Sequence, residues 1–193
     1  MSNSVRSRSS EFEIRARRAG SRRPFIRFES TPPHIVTPML ELAGVKARDV
    51  VYDLGSGDGR IAIAAAKRFG AQGVGIEIHA GRVAQATLNA QQAGVADRVR
   101  FMRQDLFEAD LRPATVVTLF LLPEANVMLR PKMLRELAPG SRIVSYIHEM
   151  GGWKPEKARY TVDRFGWYDR LYLWTVPVGP PRYGTEAPAP ERG

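Results

Sequence analysis

The chain has 193 residues, 44% of them hydrophobic and none of them cysteine, and carries a net charge of +9 at pH 7. That length supports one domain with a substantial core, and the lack of cysteine excludes disulfides, thiol nucleophiles and thiolate metal sites. Eight arginines against two glutamates in residues 1–28 supply six of the nine positive charges, so the remainder is close to neutral and its charge names no nucleic-acid partner.

Residues 1–24 are rich in Ser and Arg and end in Arg22-Arg23-Pro24. Such a segment buries too little apolar surface to offset its ordering entropy, and a disordered basic leader is expected. It has no apolar core of the secretory kind, and only its Arg and Ser content resembles an organellar targeting peptide, so a cytoplasmic protein is the expectation with organellar targeting left open. No apolar run approaches the roughly 20 residues of a membrane span. His34, His79 and His148 show no metal-ligand spacing, and no metal site is expected.

Beyond the leader, Pro32 and Pro33 open a helix running to about Ala43, stopped by Gly44. Val50 to Leu54 reads as a buried strand. A glycine loop follows, and then an Ala-rich helix from Arg60 to Phe69 closed by Gly70. Gly73 to Ile78 is a second strand, Ala80 to Ala93 a helix ended by Gly94, Arg98 to Arg103 a third strand, and Thr115 to Leu119 a fourth. Pro123 to Leu137 reads as a helix kinked or broken at Pro131. Arg142 to Ile147 is a fifth strand. Ala158 to Val162 and Arg170 to Val176 have no helix between them and read as an antiparallel hairpin. Five strand–helix alternations before a hairpin point to an α/β, doubly wound, mostly parallel sheet covered on both faces. The domain is expected over residues 25–176, followed by a loose Pro-rich tail over 177–193.

The most informative segment is Val51-Tyr52-Asp53-Leu54-Gly55-Ser56-Gly57-Asp58-Gly59-Arg60. It lies where a buried strand turns into a helix, the place at which open α/β sheets bind ligands. A dinucleotide site favours a last glycine three positions after the second. Here Gly55, Gly57 and Gly59 alternate, and Asp53 and Asp58 would repel a pyrophosphate. S-adenosylmethionine has no phosphate; its ammonium, sulfonium and carboxylate suit an acidic loop with free N–H groups at a helix start. Glu77 ends the next strand, where a carboxylate can accept both ribose hydroxyls. Asp105 follows the third strand, placed to accept from an adenine amino group. Three acids thus close three successive strands.

With these residues the sequence resembles the class I, seven-strand S-adenosylmethionine-dependent methyltransferases, whose first cofactor motif is Asp-x-Gly-x-Gly-x-Gly. It is closest to the branch of small lysine methyltransferases, which includes archaeal broad-specificity enzymes and those modifying adenine nucleotide translocase and the ATP synthase c-subunit. The branch resemblance rests on Thr31-Pro32, Val51 to Ile61, Gly75-Ile76-Glu77-Ile78, Ala114 to Leu122, Met128 to Lys132, Arg142 to Ser145, Gly152-Trp153-Lys154-Pro155 and Leu171 to Trp174. It implies a Rossmann-like fold with seven strands and S-adenosylmethionine as cofactor. Asp53, Gly55 and Gly57 would meet its methionine part, Glu77 its ribose, and Asp105 with Leu106 its adenine; Leu54, Ser56, Asp58, Gly59, Ile78 and Phe120 complete the expected cofactor set. One departure is Ser30-Thr31-Pro32, where the branch has Pro-Thr-Pro. The leader also lacks the membrane segment of the mitochondrial members, so a membrane-embedded substrate is not implied.

For the acceptor, amide and nucleobase methyltransferases commonly carry Asn/Asp-Pro-Pro-Tyr after the fourth strand. This chain has Phe120-Leu121-Leu122-Pro123, an apolar wall suited to an aliphatic amine. A protein presenting lysine is therefore the expected partner. Glu149 and Thr31 are the expected catalytic side chains, with Glu29 and His148 as further polar candidates. Trp153 could wall a methylated ammonium, Trp167 reads as core packing, and Arg60 is expected to pair with Asp58 or Asp53. Two other functions remain in competition: an RNA methyltransferase using the leader as a phosphate tether, and a cofactor-binding module without turnover.

Overall fold

The computed structural model describes residues 30–162 and 168–179. The leader, Glu29, Trp167 and most of the Pro-rich tail lie outside these described residues. Seven strands form one sheet: β1 (Val50–Leu54), β2 (Gln72–Glu77), β3 (Val99–Arg103), β4 (Val116–Leu119), β5 (Arg142–Tyr146), β6 (Lys157–Val162) and β7 (Tyr168–Thr175). Their order is β3-β2-β1-β4-β5-β7-β6. The first five are parallel, and β7 runs antiparallel to both β5 and β6. From β1 the chain winds outward through β2 to β3, then returns to the other side of β1 and winds outward through β4 to β5. This reversal opens a crevice beyond the carboxyl ends of β1 and β4.

The helices are α1 (Pro33–Leu42), α2 (Arg60–Phe69), α3 (Ala80–Gln92) and α4 (Pro123–Glu136). Ile35, Val36, Met39 and Leu40 of α1 and Ile61 and Ala65 of α2 pack with Val51, Val116, Val144, Tyr146, Leu171 and Leu173 on one face of the sheet. Ala125, Leu129 and Met133 of α4 pack on the other face with Tyr52, Leu54, Val117, Leu119, Ile143, Tyr172 and Trp174. Strands buried on both faces explain the mostly apolar runs at β1 and β4, each interrupted by a single polar residue, Asp53 and Thr118. The alanines of α2 let it lie close to β2: a Cβ added at Gly73 would stand 2.7 Å from the Ala62 carbonyl oxygen.

Two expectations need correction. No helix joins β3 to β4; residues 104–115 form turns, so the strand–helix alternation is broken once. Nor does Pro131 break its helix, which is continuous from Pro123 to Glu136. A proline removes only its own N–H bond to the residue four back. Here that residue is Val127, 38% exposed, while Leu129 and Met133 on either side are fully buried and anchor the turn.

Beneath β1, Asp49 ties three elements together. Its Oδ2 accepts from Arg142 Nη2 at 2.7 Å and from the Lys46 N–H at 2.7 Å, and its Oδ1 from Thr115 Oγ1 at 2.8 Å. Burial alone would raise its pKa, but the Arg142, Thr115 and Lys46 hydrogen bonds outweigh it and hold the carboxyl below its usual range. A depressed carboxylate stabilises the fold above its unfolded pKa, and that contribution is lost as pH falls through the folded value. Asp49→Ala strands a largely buried guanidinium and is expected to lower the unfolding free energy by about 2–3 kcal/mol at pH 7. Urea titration at pH 7 and at pH 3 checks this: the deficit should shrink at the lower pH.

Candidate functional site

The crevice holds a solvent-open cavity of about 310 Å³ lined by Ser30, Thr31, Asp53, Gly55, Ser56, Gly57, Asp58, Arg60, Ile61 and Phe120. Seven of the fourteen residues expected for cofactor and catalysis are in that wall. Asp53, at the end of β1, is 4% exposed and accepts from Thr118 Oγ1 at 2.7 Å. Burial pushes its carboxyl up to about 7; the charges of Asp58 and Glu77 add to the rise, while Thr118 and Arg60 oppose it. A buried acid held among other acids is matched to a cationic ligand group, which would restore its charge.

Arg60 organises the outer wall. Its Nε donates to Asp58 Oδ1 at 2.8 Å and its Nη2 to Oδ2 at 2.5 Å, a fork that holds Asp58 below the usual carboxylate range. Its Nη1 donates to the Thr31 carbonyl at 2.8 Å, fastening the segment before α1 against the glycine loop. Thr31 is thereby 5% exposed at the cavity wall. Of the two partners expected for Arg60, the hydrogen bonds go to Asp58.

The loop N–H groups, expected to face a ligand, are mostly engaged within the protein. Gly55 and Ser56 N–H donate to the Ile76 carbonyl at 2.9 and 3.0 Å, Gly57 N–H to Glu77 Oε2 at 3.1 Å, and Gly59 N–H to the Ser56 carbonyl at 2.8 Å. Glu77 therefore braces the loop; its Oε1 accepts from the His79 N–H at 2.9 Å. Ser56 lines the cavity, and its Oγ is buried with no hydrogen-bond partner in the structure, the kind of atom a water or ligand completes.

The remaining expected residues spread outward from this wall. Glu77 and Asp105 follow the same end of the sheet, since Asp53 pairs with Gly75 and Glu77 with Arg103. Asp105 Oδ1 accepts from the Phe107 N–H at 2.9 Å. Leu54 and Leu106 belong to the core, Gly59 begins α2, and Ile78 is 57% exposed. Glu149 is exposed and outside the cavity wall, and its carbonyl accepts from Asn126 Nδ2 at 3.4 Å. Trp153 packs against Trp174, ring centroids 6.2 Å apart, away from the cavity. Sequence reasoning missed Ser30 and Ile61 as wall residues, and Asn126 and Ser145, both fully buried, which hold the chain after β5. Asn126 Nδ2 donates to Ser145 Oγ and to the His148 carbonyl, both at 3.2 Å. Contacts nineteen or more residues apart leave no local signal.

Comparison with known proteins bears directly on this crevice. A family described as the ANTKMT methyltransferase domain matches residues 53–157. A protein-lysine N-methyltransferase of Saccharolobus islandicus (strain REY15A) is 46% identical over 154 residues, 79% of this chain and 95% of the relative. The chain belongs to this methyltransferase family. An adenine nucleotide translocase lysine N-methyltransferase of Mus musculus is 38% identical over 54% of this chain and 46% of its own. Among solved structures, an RNA methyltransferase from Salinibacter ruber in complex with S-adenosyl-L-homocysteine is 52% identical, with a TM-score of 0.74 over 80% of this chain and 97% of that one. The methyltransferase is S-adenosylmethionine-dependent, and its Rossmann-like sheet agrees with the expected class. The buried Asp53 carboxyl and the orphaned Ser56 hydroxyl fit the amino-acid end of that cofactor. Among the described residues no His, Asp or Glu cluster could hold a metal, and no helix is long and apolar enough to cross a membrane.

Proposed function

We propose that this methyltransferase transfers the methyl group of S-adenosylmethionine to lysine amines of a protein substrate. The observation that carries the reading is the match spanning 95% of a protein-lysine N-methyltransferase. The site agrees with it: where the chain leaves β4 the cavity is walled by Phe120, which has no polar group to grip a planar amide or base. The bound cofactor supplies an activated methyl group. Asp53 takes its ammonium, Ser56 donates to its amino-acid part, Glu77 receives the ribose hydroxyls and Asp105 with Leu106 borders the adenine. Thr31 and Phe120 shape the acceptor side and exclude water, and Glu149 stands further out as a site for substrate charge.

A second reading, methylation of RNA, is favoured by the Salinibacter ruber relative, an RNA methyltransferase, and by the eight arginines of residues 1–28. Incubating the protein with labelled cofactor and separate pools of protein and RNA tests the two. Label on lysine, located by mass spectrometry, is the expected result; label confined to RNA, with binding that weakens steeply with salt, would replace the lysine reading.

A further inference from the structure

Beside the cavity wall lies a chain of polar side chains that the cofactor site does not use. The Phe120 and Tyr146 rings meet at a tilt of 56° with centroids 4.7 Å apart, so Tyr146 stands beside the wall residue Phe120. The register explains why: Thr118 on β4 pairs with Val144 on β5, which puts Phe120 and Tyr146 level with each other and on the face of Asp53. Tyr146 is 4% exposed and its hydroxyl donates to Asp169 Oδ1 on β7. Asp169 Oδ2 lies 2.9 Å from His34 Nε2 at the start of α1. The His34 side chain is 48% exposed and that of Asp169 12%, so the chain runs from the cavity wall to solvent.

Tyr146 belongs to the apolar cluster beneath α1, where its hydrogen bond to Asp169 adds only about 1 kcal/mol to stability. Transfer to lysine, however, requires that an ammonium with a solution pKa of about 10.4 become a neutral amine. We propose that Tyr146 and Asp169, with Asp169 held in place by His34, carry the substrate proton out of the acceptor site. This rests on the lysine reading and names the groups that read it.

In the step, an N–H bond of the ammonium breaks as an O–H bond forms on Tyr146 Oη, and the proton Tyr146 already shares with Asp169 passes to Oδ1. The products are a neutral amine, a neutral tyrosine and a neutral carboxyl group. Asp169 then returns the proton to water at its exposed edge, while His34, holding Oδ2, keeps Oδ1 turned to the tyrosine. The freed lone pair takes the methyl group, and the electron pair of the broken S–C bond stays on sulfur. Tyr146 is the catalytic residue in this scheme; Asp169 and His34 act through it. The other charged groups on the surrounding elements have partners of their own. Glu41 of α1 pairs with Arg159 of β6 at 3.3 Å, Arg170 of β7 lies over the Tyr160 ring at 5.9 Å, and Arg142 of β5 pairs with Asp49 at 2.7 Å. Asp53 of β1 bonds Thr118.

Turnover against a lysine-bearing protein, followed from pH 6.5 to 10.5, tests the assignment. Tyr146→Phe and Asp169→Asn should each lower kcat by about 10²-fold near pH 7.5, and the gap should close towards pH 10 as solution chemistry supplies neutral amine. His34→Gln should show a smaller loss of the same shape, and all three should bind S-adenosylmethionine like the parent. Parallel pH profiles for parent and variants, or an unchanged kcat in Tyr146→Phe, would overturn the proposal while leaving the lysine reading intact. A parent enzyme that yields no lysine product would end both.

Discussion

Asp53→Asn is expected to weaken S-adenosylmethionine binding by about 10- to 100-fold, the value of one charge-assisted contact, while making the cofactor-free protein more stable. Both effects follow from the same burial. Asparagine keeps the oxygen that accepts from Thr118 but removes a charge flanked by Asp58 and Glu77. Burial pushes the carboxyl up to about 7 in the fold, from about 3.9 in an unfolded chain. Between those values the folded protein binds more protons than the unfolded chain, so this group's contribution declines as pH rises through the window and is flat above it. The variant lacks that decline, and its melting temperature at pH 8 should exceed the parent's by about 2–4 °C for each kcal/mol relieved. Cofactor binding, which needs the ionised form, should weaken in the parent by up to about tenfold for each pH unit below 7; in the variant that slope is absent. Titration calorimetry at pH 5.5, 6.5 and 7.5 reads the affinity and its slope, and scanning calorimetry at pH 8 reads the gain in stability. A variant that binds as tightly as the parent would show that the ammonium lies elsewhere.

Gly59→Ala is the second large effect, and it acts on the fold rather than on charge. Gly59 begins α2 with φ of 81°, a left-handed conformation that strains any residue with a Cβ. The added carbon would also stand 2.6 Å from Phe101 Cε1 and 3.0 Å from Ala86 Cβ. The same ring lies over Gly75, where a Cβ would come within 2.7 Å of Cε1 and 2.5 Å of Ser56 Oγ. Moving Phe101 aside therefore disturbs Ser56 and the loop. Strain and overpacking together should remove about 2–4 kcal/mol of stability. Denaturant titration measures the loss, and saturating cofactor should recover part of it by mass action. A loss under 1 kcal/mol would mean that α2 can shift without opening the loop.

The parts of this protein that were legible in its sequence are those written locally. The mostly apolar run of β1, broken only by Asp53, and the Ala-rich run closed by Gly70 put both elements at their observed limits, because a buried parallel strand and a small-residue helix each leave a local composition signal. The alternating glycines and the acids after β1, β2 and β3 marked the crevice for the same reason. The strand–helix alternation is overcounted in the sequence because no helix follows β3, and a break at Pro131 is not found because the buried residues around it hold the turn. Least legible were the polar links. Tyr146, Asp169 and His34 meet only because β7 is inserted beside β5 and α1 packs over both. Their separations of 23 and 135 residues belong to topology, not to spacing. Glu149 drew attention by standing just past β5, yet the chain turns there and leaves its side chain outside the cavity wall.

The antiparallel course of β7 has a practical consequence. Thr175 pairs with Arg142 at the beginning of β5, so the polypeptide departs from the floor of the sheet, remote from the crevice. Ser30 and Thr31 stand at the crevice itself. An affinity tag or fluorescent fusion appended downstream of β7 should leave methyl transfer untouched, whereas one joined shortly before Ser30 would crowd the mouth through which substrates arrive.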